Sequence, residues 1–115
     1  MELKIYHNPR CRKSRETLEI IRSRGVEPLV VKYLEEPLTE AELKSLVKKL
    51  GIEAEILIRK GEKEFKENFG GHKLSESEAI KAMVNYPKLM ERPVVVKGEK
   101  AIIGRPPENV IELLN

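Results

Sequence analysis

The stretch MELKIYHNPRCRKSRETLEIIRSRGVEPLVVKY, residues 1–33, carries the strongest architectural signal in the chain. Leu3 to Tyr6 reads as a short strand, and a helical stretch follows from about Cys11 to Arg24 with Leu18, Ile20 and Ile21 as its apolar positions. Gly25 stands where a helix closes on a left-handed residue, and Leu29 to Tyr33 reads as a second strand. Strand, helix and strand in so few residues make a βαβ unit, whose two strands pair parallel.

Farther along, Thr39-Glu40-Ala41-Glu42 and Ser75-Glu76-Ser77-Glu78 are capping boxes, in which a hydroxyl and a carboxylate satisfy the first free N–H groups of a helix. They predict one helix carrying Leu43, Leu46, Val47 and Leu50 and closed by Gly51, and another carrying Ile80, Met83 and Val84 ahead of Pro87. A shorter helix is expected from Glu53 to Lys60, so residues 34 to about 91 read as mostly helical. The chain then returns to strand. Val94 to Lys97, the dipeptide Gly98-Glu99 and Lys100 to Ile103 form an antiparallel hairpin with the glycine a type II′ turn requires. Pro106-Pro107 opens a last helix, Glu108 to Leu114. This order predicts an α/β protein of thioredoxin-like topology: a mixed four-stranded sheet, βαβ plus ββα, with a helical insertion at about 34–91 of a single domain spanning 1–115.

Length and composition agree with one core. The chain has 115 residues, 40% of them hydrophobic and only five aromatic, so Leu, Ile and Val must build the interior. The charge is 22 Lys and Arg against 19 Asp and Glu, a net +3, which does not indicate bulk capture of nucleic acid. No apolar window approaches eighteen residues, and the charged N-terminus is unlike a signal peptide, so a cytoplasmic protein without membrane attachment is expected. One Cys excludes an intramolecular disulfide, and with two His it is too little for a structural zinc site. No metal and no tightly bound cofactor are expected, and a monomer is the default.

The chemistry centres on His7-Asn8-Pro9-Arg10-Cys11-Arg12-Lys13-Ser14-Arg15, which puts the one thiol where a strand meets a helix. Helix-initial N–H groups lack intrahelical partners and the dipole is positive there, so a thiolate is favoured over a thiol. Arg10, Arg12, Lys13, Arg15 and His7 would add positive potential. An ordinary thiol is only about 3% ionised at neutral pH, so the shift governs reactivity. A lone Cys is more often a small buried hydrophobe, but Pro9, Arg10, Arg12 and Lys13 are poor neighbours for a core residue. The same helix end binds oxyanions. Arg59, Arg92 before Pro93, and Arg105 between Gly104 and Pro106 stand out as possible ligands, although each alone reads as a solvated charge. Arg92 and Arg105 bracket the hairpin and could reach Cys11 together.

The run Tyr6-His7-Asn8-Pro9-Arg10-Cys11 with Ser14-Arg15, the pair Tyr33-Leu34, Leu57-Ile58-Arg59-Lys60, Glu91-Arg92-Pro93-Val94-Val95-Val96 and Gly104-Arg105-Pro106 resemble the glutaredoxin-dependent arsenate reductase (ArsC) family over essentially the whole chain. The resemblance implies a reductase in which Cys11 is the nucleophile, His7 helps lower its pKa, and Arg59, Arg92 and Arg105 bind the oxyanion. It implies a covalent cysteine-arsenic adduct, glutathione as co-substrate and glutaredoxin as partner. Ser14 could bond the thiolate or the anion, or simply cap the first turn. Cys11-x-x-Ser14 has no resolving cysteine, so any redox cycle needs an external thiol. The chain ends sooner than the best-known family members and carries Arg12 and Lys13 after the cysteine, which resembles a short-chain subgroup. Two other readings use the same residues: a regulator similar to Spx that binds RNA polymerase, which commonly has Cys-x-x-Cys, and a monothiol glutaredoxin-like protein acting on glutathione mixed disulfides. His72, beside Gly70-Gly71, reads as solvated.

Overall fold

The computed structural model describes residues 2–70 and 73–114, so His72 lies outside the described residues. The elements follow in the order β1 (Leu3–Tyr6), α1 (Arg12–Ser23), β2 (Leu29–Val31), α2 (Glu40–Leu50), a 3-10 turn Ala54–Leu57, α3 (Lys63–Asn68), α4 (Glu76–Asn85), a 3-10 turn Pro87–Leu89, β3 (Val94–Lys97), β4 (Lys100–Ile103), a 3-10 turn Pro107–Val110 and α5 (Ile111–Leu114). The chain divides into two compact units, one made of Met1–Glu36 with Arg92–Asn115 and the other of Pro37–Glu91.

The first unit holds a four-stranded sheet in the order β2-β1-β3-β4. β1 and β2 are parallel, and β3 runs antiparallel to both β1 and β4. The mixed sheet expected from the element order is therefore present. Its register puts Tyr6 opposite Val31 and Val94, and Val94 opposite Ile103. The residues after β1, before β3 and after β4 consequently leave the sheet at one end. Period-two alternation turns Leu3 and Ile5 toward α1, where they pack with Leu18, Ile21, Val95, Val110 and Leu113. Gly25 closes α1 at φ 77°, and Gly98 takes φ 61° with no positive φ at Glu99, as a type II′ turn requires.

In the second unit both capping boxes form in full, Thr39 with Glu42 and Ser75 with Glu78. The helix expected over Glu53 to Lys60 is instead one 3-10 turn, Ala54–Leu57. The physical reason is competition for backbone groups: Ile58 bridges antiparallel to Met90, the Arg59 N–H donates to the Leu89 carbonyl at 2.7 Å, and the Glu91 N–H donates to the Leu57 carbonyl at 2.8 Å. α3 has no clear signal in the sequence; its one buried residue, Phe65, stacks on Phe69, which meets Tyr86 edge-on. Two boundaries also differ. β2 stops at Val31 because the Lys32 carbonyl turns to accept the Glu35 and Glu36 N–H groups, and the last helix starts as the 3-10 turn Pro107–Val110.

Candidate functional site

Cys11 is the N-cap of α1, with extended backbone at φ −93° and ψ 122°. The loop that delivers it is tightly specified. Asn8 accepts the Arg10 N–H on Oδ1 at 3.0 Å and the Cys11 N–H on its carbonyl at 3.0 Å, an Asx-type turn that reverses the chain after β1. Ser14, fully buried, accepts the Asn8 N–H on Oγ at 3.1 Å and lies 2.6 Å from His7 Nδ1. Its hydroxyl thus pins the loop to the first turn of α1, while its backbone N–H donates to the Cys11 sulfur.

The sheet register, which gathers the end of β1, the start of β3 and the end of β4, brings the two hairpin arginines to this point. Arg105 Nη2 lies 3.6 Å from Cys11 Sγ, and the Arg92 guanidinium also donates to the sulfur. The two arginines are tied to each other, since Arg105 Nε donates to the Arg92 carbonyl at 2.8 Å. The Arg92–Pro93 and Arg105–Pro106 peptide bonds are both cis. Burial pushes the Cys11 thiol up, but the Ser14 N–H, the Arg92 guanidinium and the Lys13 N–H together outweigh it and hold the thiol below its ordinary value.

The local charges behave differently from expectation. His7 is only 5% exposed, and burial, reinforced by Arg22, Lys32 and Arg15, lowers its pKa. It is therefore neutral at neutral pH and adds no positive potential. Arg10, Arg12, Lys13 and Arg15 are exposed; Arg12 pairs with Glu16 at 2.8 Å, and Arg15 Nη1 donates to the Pro9 carbonyl at 2.9 Å. Arg59 belongs to the second unit, where it lies 3.5 Å from Glu91 and 3.8 Å from Glu62.

Three supporting residues carry little or no signal in the sequence. The Gly104 N–H donates to the Pro93 carbonyl at 2.9 Å, and a Cβ on Gly104 would stand 2.7 Å from Thr17 Oγ1 and 2.9 Å from Pro93 Cγ. Thr17 is fully buried on α1, and Asn109 Nδ2 donates to the Arg105 carbonyl at 3.0 Å. Gly104 is visible only as the neighbour of Arg105, and nothing local marks Thr17 or Asn109. Among the described residues no group of three or more His, Cys, Asp or Glu could hold a metal ion, and no helix is long and apolar enough to cross a membrane.

A cysteine sulfur met by helix-initial N–H groups and two guanidinium groups can attack, and hold, a tetrahedral oxyanion. Residues 6–113 match the ArsC family. The chain belongs to the ArsC family. Its ArsC-type relatives include an arsenate reductase of Haemophilus influenzae, 43% identical over 99% of this chain and the whole of that protein. The uncharacterised protein YfgD of Escherichia coli strain K12 is 55% identical over 98% of this chain and 97% of its own length. Among solved structures, an arsenate reductase from Vibrio cholerae superposes with a TM-score of 0.92 at 46% identity, covering 97% of each chain. The thioredoxin-like fold expected for an ArsC protein is thereby established.

Proposed function

We propose that this protein is an arsenate reductase that uses glutathione and glutaredoxin as its source of electrons. The observation that carries the proposal is the convergence of Arg92, Arg105 and the Ser14 N–H on the sulfur of Cys11, in a chain of the ArsC family. Arg59 is proposed as a third oxyanion ligand, on the resemblance of its motif alone.

In the proposed cycle the Cys11 thiolate displaces one arsenate oxygen, which leaves as water after protonation, and a glutathione thiol displaces a second in the same way. A glutaredoxin thiolate then attacks the glutathione sulfur. The electron pair of the arsenic–sulfur bond returns to arsenic, which goes from As(V) to As(III), and the two external thiols leave as a mixed disulfide. Water cleaves the remaining Cys11–arsenic bond, releasing arsenite and regenerating the thiolate. The protein needs one cysteine for this because the second and third thiols come from outside. His7 acts here through Ser14, fixing the loop that aims the Ser14 N–H at the sulfur, and Ser14 contributes through that N–H. A reducing, glutathione-containing compartment, the cytoplasm, and a monomeric chain are part of the same proposal.

The test is arsenate-dependent NADPH consumption coupled through glutathione, glutaredoxin and glutathione reductase. Turnover that disappears in Cys11→Ser is expected. Turnover no higher than the enzyme-free background, with activity instead on a glutathionylated peptide, would replace this reading by the monothiol one.

A further inference from the structure

His7 has a second edge that the thiol site does not use. Leu3, Ile5 and His7 alternate onto the face of the sheet where Leu18 and Ile21 pack, so the imidazole lies on the α1 side. It lines a hollow of about 410 Å³ together with Pro9 and the α1 stripe Arg15, Leu18, Glu19 and Arg22, which stand at helical spacings of three and four. A neighbouring hollow of about 310 Å³ shares His7 and Pro9 and adds Arg10, Lys32 and Glu35. Cys11, Arg92 and Arg105 line neither.

Ser14 Oγ accepts the Asn8 N–H and lies 2.6 Å from His7 Nδ1, so giving the buried Ser14 hydroxyl proton an acceptor assigns that role to Nδ1. A neutral imidazole that accepts at Nδ1 carries its hydrogen on Nε2. That N–H donates to no described residue, in a side chain only 5% exposed. Water reaches that N–H from the hollow, and a ligand oxygen entering the hollow can replace the water as its acceptor.

Charge narrows the ligand. Arg15 and Arg22 face the hollow, Arg22 already holding the Glu27 carboxylate at 3.0 Å, while Glu19 on the same stripe opposes a second negative charge. A singly charged group fits that balance better than a phosphate dianion, and Leu18 with Pro9 offers apolar surface to a carbon skeleton.

We propose that this hollow is a carboxylate-binding site separate from the thiol site. The carboxylate accepts from His7 Nε2–H and lies against the Arg15 and Arg22 guanidinium groups, and the aliphatic body of the same small molecule covers Leu18 and Pro9. The proposal does not depend on the reaction assigned to Cys11.

The test is titration of the full chain with S-methylglutathione, a peptide dicarboxylate without a free thiol, and in parallel with inorganic phosphate, while the His7 ring resonances are followed by NMR. S-methylglutathione is expected to move the Nε2–H resonance with saturation, equally in the native chain and in Cys11→Ser. Arg15→Gln or Arg22→Gln, both on the exposed helix face, should weaken that binding about tenfold. His7 resonances that stay still, that respond identically in both arginine variants, or that respond only to inorganic phosphate would overturn the proposal.

Discussion

At Cys11 opposing influences meet, and their balance sets the chemistry. Burial favours the thiol, whereas the Ser14 N–H, Arg92 and the Lys13 N–H favour the thiolate and prevail. Removing one guanidinium should tilt the balance back: Arg92→Gln is expected to slow alkylation of Cys11 at neutral pH by roughly 3- to 10-fold, with the midpoint of its pH–rate profile moved up. The same shift also contributes to stability. The folded chain holds the thiol proton less tightly than the unfolded chain, so the stabilisation is complete above the ordinary thiol pKa and is lost as pH falls through the lower folded value. Urea midpoints should therefore rise with pH across that window, by an increment that Cys11→Ser lacks. Gly104 is the other decisive residue. A methyl group there would meet Thr17 Oγ1 at 2.7 Å and Pro93 Cγ at 2.9 Å, and either the loop carrying Arg105 or the α1 turn carrying Thr17 must yield. Gly104→Ala is expected to destabilise the chain by about 1–3 kcal/mol in urea titration and to slow Cys11 alkylation as Arg105 moves off the sulfur.

Among the helices and strands, legibility follows locality. The helices beginning at Thr39 and Ser75 are announced by four consecutive residues each, because a capping box is satisfied within a single turn. Ser75→Ala should accordingly cost about 1 kcal/mol in urea titration, since the Glu78 N–H at 3.2 Å loses its acceptor, and Ser75→Asp should restore most of it. The segment after Glu53 defeats the same kind of reading. Its apolar residues suit a helix, but the backbone of Leu57, Ile58 and Arg59 is claimed by Leu89, Met90 and Glu91, some thirty residues away in sequence. β1, α1 and the hairpin are legible because period, closing glycine and turn glycine are all short-range signals.

For the molecule as a whole, one thiol per chain limits how it can store oxidation. Exposure to glutathione disulfide should give one glutathione per chain by intact mass, none in Cys11→Ser, and no intramolecular disulfide under any condition. That limit follows from the residue list, as do the single nucleophile at a strand–helix junction, the βαβ and ββα halves and the positions of Arg92 and Arg105 on either side of a hairpin. Which charges count is a matter of tertiary packing. Arg10, Arg12 and Arg15 lie closest to Cys11 in sequence, yet they are exposed, with Arg12 paired to Glu16, whereas Arg92 and Arg105, more than eighty residues downstream, bond its sulfur. His7, close in sequence to the exposed Arg10 and Arg12, is stripped of its charge by burial rather than given one by its neighbours. The reason is the same in each case: residue types and local spacing specify what a group can do, while register across the sheet and exclusion of water specify which group it meets and in which protonation state.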